Sequence, residues 1–205
     1  MGYPTTKIKI TRHMSATIGL LFGSFNPVHI GHLALANYLA EYAGLDEVWF
    51  VLTPQNPFKE KGDLLDEAHR LELLKLALQE EPRFKASDFE FMLPRPSFTI
   101  DTLDKLRATF PQHDFRLIMG ADNLLAIDKW KEPERLLKQY RLLIYPRPGY
   151  SLEAQPQTKG LQVVDAPLLD LSATLIREGL RMGKNLRYLL PHGVYDLITA
   201  RGWYK

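Results

Sequence analysis

Apolar residues along this chain fall into two alternating patterns, short unbroken β-rich runs and longer stretches with leucines and alanines at helical spacing. Ile18–Phe22 (IGLLF) is the first run and reads as a buried strand. The stretch from Gly31 through LALANYLAEYA to Ala43 reads as the helix that follows. Glu47–Leu52 (EVWFVL) is continuous, as in a strand covered on both faces, so these three elements predict a βαβ unit and a parallel sheet. The alternation continues with a helix over 66–80, closed by Pro82, and a short strand near Phe84–Ala86. A polar linker then leads into a helix from about Thr99 to Phe110, and a strand over Phe115–Met119 precedes a short helix over 123–127. Further strands are expected over Tyr140–Tyr145 and Leu161–Val164, with a helix after Ser172, a short helix in NLRYLL and a closing helix from about His192 to Ala200. Strands alternating with helices predict an α/β doubly wound fold with mainly parallel strands. Residues 16–205 read as a single domain and residues 1–15 as a flexible extension before it.

Composition narrows the function classes. A chain of 205 residues, 45% hydrophobic and 24% charged, can bury a full core without staples, which excludes disordered and fibrous classes. The absence of cysteine removes disulfides, thiolate metal sites, Fe–S clusters and cysteine nucleophiles together. The formal charge of +2 is near balance and the basic residues are scattered, so neither nucleic acid nor an anionic membrane is an expected partner. The first 15 residues hold no apolar run long enough for a signal peptide or a membrane span, and the expected location is the cytoplasm.

Candidate chemistry concentrates where the first strand turns into the first helix. That turn holds Gly23, Ser24, Asn26, Pro27, His29 and Gly31. Backbone N–H groups and the positive end of a helix dipole point into one space there, which suits a phosphate. His29 falls just before the helix and His32 in its first turn, so both imidazoles can reach an anion held there. The loop TPQNPFKEKGD leaves the carboxyl end of the second strand and offers Lys59 and Lys61 as phosphate contacts, against the competing reading of solvated surface lysines. Near the other end of the chain, Ser172 is an N-cap candidate, with Thr174 in the first turn and Arg177 one turn on. Two hydroxyls and a guanidinium at a helix start make a second anion site.

Four residues carry two readings each. Ser97 and Thr99 lie at a helix start, where capping is the first duty. Asp122 lies just beyond a strand end and could bind ribose hydroxyls, although composition favours a cap. Trp130, flanked by charge, is either a partly buried anchor or a flat surface for a base or pyridine ring. Other sites are disfavoured. There is no G-x-G-x-x-G after the first strand and no G-x-x-x-x-G-K-[ST], which argues against a dehydrogenase or a P-loop NTPase. His29 and His32 lack both the spacing and the glutamate of H-E-x-x-H and have no third ligand in view, so no protein-ligated metal is expected.

Gly23-Ser24-Phe25-Asn26-Pro27-Val28-His29-Ile30-Gly31-His32 resembles the G-x-F-x-P-x-H-x-G-H signature of the nucleotidylyltransferases, and Ser172-Ala173-Thr174-Leu175-Ile176-Arg177 resembles their second signature, I-S-[SA]-T-x-I-R. PSFTIDTL at 96–103, GAD at 120–122, the segment around Lys129 and Trp130, RPG at 147–149 and the ending ARGWYK are similar to the bacterial nicotinate-nucleotide adenylyltransferases. The resemblance implies a Rossmann-like sheet and transfer of AMP from ATP to nicotinate mononucleotide, giving deamido-NAD and pyrophosphate by direct in-line attack. It further implies that His29 and His32 contact the ATP phosphates and stabilise the transferring group. Ser172, Thr174 and Arg177 would hold the leaving pyrophosphate. Gly23, Ser24, Phe25, Lys59, Gly120, Asp122 and Arg147 would lie along the ATP and nucleotide site, and Thr99 and Trp130 would form the nicotinate pocket. Mg²⁺ would be carried mostly by phosphate oxygens.

One departure stands out. Asn56-Pro57-Phe58-Lys59 occupies the place where many bacterial members have P-P-H-[KR], and phenylalanine cannot donate to a phosphate. The alternatives are nicotinamide mononucleotide or another acceptor of the same superfamily, or a non-catalytic nucleotide-binding module. ATP and nicotinate mononucleotide are the expected partners, and a homo-oligomer is compatible with the sequence.

Overall fold

The computed structural model describes residues 15–54, 64–150, 160–167 and 169–205. The extension expected before residue 16 falls almost wholly outside them, as do Phe58, Lys59 and Lys61. The chain runs β1 (Thr17–Gly23), α1 (Ile30–Tyr42), β2 (Glu47–Leu52), α2 (Glu67–Leu78), β3 (Phe84–Ser87), α3 (Thr99–Thr109) and β4 (Asp114–Gly120). It continues through α4 (Ala121–Leu125), α5 (Pro133–Gln139), β5 (Arg141–Tyr145), β6 (Leu161–Val163), α6 (Ala173–Arg181) and α7 (Val194–Arg201). The six strands form one sheet in the order β3-β2-β1-β4-β5-β6, and every neighbouring pair is parallel. This is the doubly wound order, with its switch point between β1 and β4, where ligands bind beyond the strands' carboxyl ends.

The apolar runs are unbroken because the sheet is covered on both faces, and the period of two decides which core each residue enters. Ile18 and Leu20 of β1 face one core with Leu117, Met119, Leu142 and Ile144, covered by Ile100, Leu103 and Leu106 of α3 and Leu136 of α5. Leu21 points the other way, into a core with Phe50, Leu52, Ile118 and Leu143, covered by Leu39 of α1, Leu73 and Leu74 of α2, Ile176 of α6 and Ile198 of α7. Each of these wholly buried side chains contributes roughly 1.5–3 kcal/mol, so two cores of this size carry the fold. No helix among the described residues is long and apolar enough to cross a membrane.

Element boundaries differ from the periodicity where local bonding decides them. α2 starts at Glu67 because Asp66 is its N-cap, accepting from the Ala68 N–H at 2.9 Å. The helix expected over 123–127 starts at Ala121 with Gly120 as its N-cap, so Asp122 lies in the first turn and the capping reading of Asp122 is wrong. Phe98, not Ser97 or Thr99, is the N-cap of α3, and no side chain caps that helix. The polar linker before it contains a 3₁₀ turn over Phe89–Met92 that buries Glu90. α5 has no counterpart in the periodic reading, since seven residues span too few turns to show a stripe. Tyr140 is its C-cap and not the start of β5.

Candidate active site

The turn after β1 is shaped by buried groups on three sides. Phe25 holds a φ of +42°, rare for a residue with a side chain, and its ring is buried beside Phe50 and edge-on to His32. Asn26 is also buried. Its side-chain oxygen accepts from the Leu65 N–H at 3.2 Å and the Tyr204 hydroxyl at 2.8 Å, and its carbonyl accepts from Nη1 of Arg177 at 3.0 Å. The Ser24 carbonyl accepts from Arg70 at 2.7 Å. The turn is thus held from α2, from α6 and from the chain's last residues before the histidines are reached.

His29 is the N-cap of α1 and His32 its third residue, and their rings stack with centroids 3.7 Å apart. Nδ1 of His32 accepts from the His29 N–H at 3.2 Å. An imidazole that accepts at Nδ1 carries its ring proton on Nε2, so His32 is set in the tautomer that can donate from Nε2. Gly31 leaves room for the His29 ring, since a Cβ there would stand 3.0 Å from its Nδ1.

Burial, with a smaller repulsion from Arg147, pushes the His29 pKa down to about 4. His29 is therefore neutral in the folded protein at neutral pH, while in the unfolded chain it takes up a proton below about pH 6.5. Between those values the unfolded state binds more protons, so stability falls as the pH drops from about 6.5 to about 4. The expected loss is about 3 kcal/mol, since each tenfold change in proton affinity is worth about 1.4 kcal/mol. Urea melts of wild type and His29→Gln across that range check this, and equal slopes would remove His29 as the cause.

At the opposite wall, Ser172 caps α6 by accepting from the Leu175 N–H at 3.2 Å, and its hydroxyl proton remains to be donated. Arg177 lies one turn later and reaches Thr174 Oγ1 at 3.4 Å. Beyond β4, Gly120 allows Asp122 and Arg147 to close over it, since an added Cβ would stand 2.3 Å from Asp122 Oδ1 and 3.0 Å from Arg147 Cγ. Arg147 Nε lies 3.5 Å from that carboxylate and its guanidinium lies over the Tyr145 ring.

The expected site residues line one cleft of about 990 Å³ at the carboxyl ends of the strands, room for a substrate of dinucleotide size. Gly23, Ser24, Phe25, His29 and His32 share it with Thr99, Gly120, Asp122, Trp130, Arg147, Ser172, Thr174 and Arg177. Every expected site residue within the described part of the chain therefore meets in one place; Lys59 lies outside that part. Trp130 is half-buried against the α3 core, as the anchor reading expects, and also borders the cleft.

Among the described residues, three buried side-chain atoms have no hydrogen-bond partner: Nδ1 of His29, Oδ1 of Asp122 and Nε of Arg177. All three belong to residues of this cleft. Buried polar atoms are almost always satisfied, so these three mark polar side chains of the cleft wall with bonding capacity left over, Asp122 Oδ1 having only the Arg147 guanidinium 3.5 Å away. Charge points to an anion, since Lys129, Lys131, Arg147 and Arg177 on the walls outnumber Glu90 and Asp122. No group of three His, Cys, Asp or Glu side chains able to hold a metal exists among the described residues.

Four contributors were given no role by the sequence. Arg70, Thr53 and Glu90 carry no motif, Tyr204 lies in the ARGWYK ending with no role assigned to it, and a charged residue inside the leucine pattern of α2 was the sole hint at Arg70.

Residues 20–179 match the family model described as cytidylyltransferase-like. A protein of Bacteroides fragilis named "Probable nicotinate-nucleotide adenylyltransferase" is 51% identical over 183 residues, covering 89% of this chain and 91% of that protein. A protein of the same name from Cytophaga hutchinsonii is 48% identical over 188 residues, covering 92% and 98%. Among solved structures, Plasmodium falciparum nicotinic acid mononucleotide adenylyltransferase complexed with NaAD shares the fold with a TM-score of 0.78 at 18% identity, over 92% of this chain and 97% of that one.

Proposed function

The chain belongs to the nicotinate-nucleotide adenylyltransferases of the cytidylyltransferase-like family, and from that membership we propose that its cleft transfers AMP from ATP to nicotinate mononucleotide, giving deamido-NAD and pyrophosphate. The observation that supports the site assignment is that the turn carrying His29 and His32 and the helix start carrying Ser172, Thr174 and Arg177, far apart in the chain, line one cleft with Thr99 and Trp130.

In the proposed reaction an oxygen of the mononucleotide's 5′-phosphate attacks the α-phosphorus of ATP. The bond to the bridging oxygen of the β-phosphate breaks, and pyrophosphate leaves with that electron pair. Such a transfer needs in-line positioning and stabilisation of charge on the phosphoryl oxygens, not a covalent partner from the protein. His32 donates from Nε2 to the transferring group, and His29, neutral and buried, supports it from the stacked position. Ser172, Thr174 and Arg177 receive the β- and γ-phosphates as they depart. Gly23, Ser24 and Phe25 bring backbone close to the phosphates, while Gly120, Asp122 and Arg147 line the nucleotide's path. Thr99 and Trp130 form the pyridine pocket, with the indole as the stacking surface.

The donor set fits Mg²⁺ that arrives on the nucleotide, since the described residues hold no cage of carboxylates and phosphate oxygens are hard ligands. When bound, the ion neutralises phosphate charge.

The deciding experiment measures pyrophosphate release with ATP and either nicotinate or nicotinamide mononucleotide. The acid is expected to give the larger kcat/KM by about tenfold to a hundredfold, the worth of one hydrogen bond to a charged group. A preference for the amide would sink the acceptor assignment, and no turnover with either would sink the reaction.

A further inference from the structure

Two charged side chains are almost wholly buried among the described residues without a counter-ion in hydrogen-bond contact, Arg70 at 1% exposure and Glu90 at 2%. Burying an ion is expensive unless its hydrogen bonds are complete. Arg70 completes them on carbonyls alone, donating to Leu65 at 2.8 Å, Ser24 at 2.7 Å, Thr53 at 3.0 Å and Pro54 at 2.8 Å. It thereby ties the turn after β1 to the segment after β2. Glu90 is held by hydroxyls, accepting from Thr102 at 2.7 Å and from Ser97 at 3.1 Å, with the Thr53 hydroxyl close by favouring its charged form.

Thr53 is common to both. Its N–H donates to the Gly23 carbonyl at 2.9 Å, its carbonyl accepts from Arg70 at 3.0 Å and its hydroxyl lies near enough to Glu90 to favour the carboxylate. Gly23 begins the phosphate turn, whereas Ser97 and Thr102 flank Phe98 and Thr99, the start of α3 that borders the cleft beside Trp130. We propose that Glu90 is a positioning residue for the acceptor pocket: through the buried relay Arg70–Thr53–Glu90 it sets the spacing between the start of α3 and the phosphate turn. The inference rests on the adenylyl-transfer reading for which half of the cleft takes the acceptor.

The choice of a carboxylate follows from donor arithmetic. Two carboxylate oxygens can accept from three hydroxyls at once, while an amide of the same shape offers one accepting oxygen and turns a donor towards the rest. Glu90→Gln therefore keeps the volume and breaks the relay. Its expected result is a KM for nicotinate mononucleotide raised about tenfold, on the scale of one lost charged hydrogen bond, with the KM for ATP within about twofold of wild type by the same rule. Thr53→Val should do the same, and the double variant should add little, because both remove one coupled interaction. In the ligand-free protein, amide exchange in Glu90→Gln should quicken over residues 97–102 and not over 29–33.

A folded Glu90→Gln in which both KM values rise together, or neither moves, overturns the proposal. Thr53→Val carries the same test where Glu90→Gln does not fold. Wild-type turnover of ATP with the mononucleotide tests the underlying reaction separately. If that fails, unchanged exchange over 97–102 in Glu90→Gln still refutes the relay, and selective quickening there supports it.

Discussion

Replacing His32 by alanine is expected to lower kcat by about two orders of magnitude or more, the scale of losing one preorganised donor to a transition-state oxyanion. The geometry explains why one imidazole can matter that much. The His29 N–H engages Nδ1 of His32 at 3.2 Å, so the ring is held in one tautomer and one orientation before substrate arrives. Its stacking on His29 and its edge contact with Phe25 remove the freedom that a surface histidine would have to lose on binding. Pyrophosphate release in saturating substrates is the measurement. His32→Asn separates chemistry from structure, because its side-chain oxygen can still accept from the His29 N–H while no Nε2 donor remains. It should lose as much turnover as alanine and retain more thermal stability. A folded His32→Ala with wild-type turnover would refute the role.

The second large effect is expected at Arg177. Its guanidinium donates to the Asn26 carbonyl at 3.0 Å with one terminal nitrogen and to Thr174 Oγ1 at 3.4 Å with the other, and the residue lines the cleft. Removing it therefore takes away a planar cation for the leaving group and one of the struts of the phosphate turn. Arg177→Ala should reduce kcat/KM for ATP by about a hundredfold, in the range found for a single charge-stabilising donor, and should weaken product inhibition by pyrophosphate in parallel. Arg177→Lys is expected to recover only part of either, because an ammonium is a point donor and cannot reach Asn26 and a phosphate with the fork of a guanidinium. Loss of ATP turnover with unaltered pyrophosphate inhibition would assign Arg177 to the strut alone.

The two effects differ in kind. His32 acts on charge that develops in the transition state and should appear in kcat, while Arg177 meets phosphates already charged in the ground state and should appear in KM as well.

Much of the fold was legible along the chain because a sheet covered on both faces leaves unbroken apolar runs, and β1, β2 and β4 differ from the expected strands by at most one residue at an end. Elements with little periodicity were not legible. α5 and the 3₁₀ turn over Phe89–Met92 are too short for a stripe, and a charged residue such as Glu90 reads as linker until the hydroxyls around it are known. The site divides in the same way. Gly23 to His32 and Ser172 to Arg177 were readable because each set of groups is contiguous in the chain, around a single helix start. Asp122 was misread because strand end and helix start coincide at Gly120, so a residue that looks like a cap sits inside the first turn.

The sequence by itself determined the alternation of strands and helices, the two helix starts proposed to take anions and the family, because burial at a fixed period and the signature residues are written in neighbouring positions. Only the tertiary structure decided that both anion sites open into one cleft, that Tyr204 reaches Asn26 across 178 positions and Arg177 across 151, and that Arg70 and Glu90 meet at Thr53. Those bonds run largely to carbonyls, hydroxyls and a single amide oxygen. Such acceptors and donors occur at nearly every position, so they leave no pattern in a sequence until the fold chooses among them.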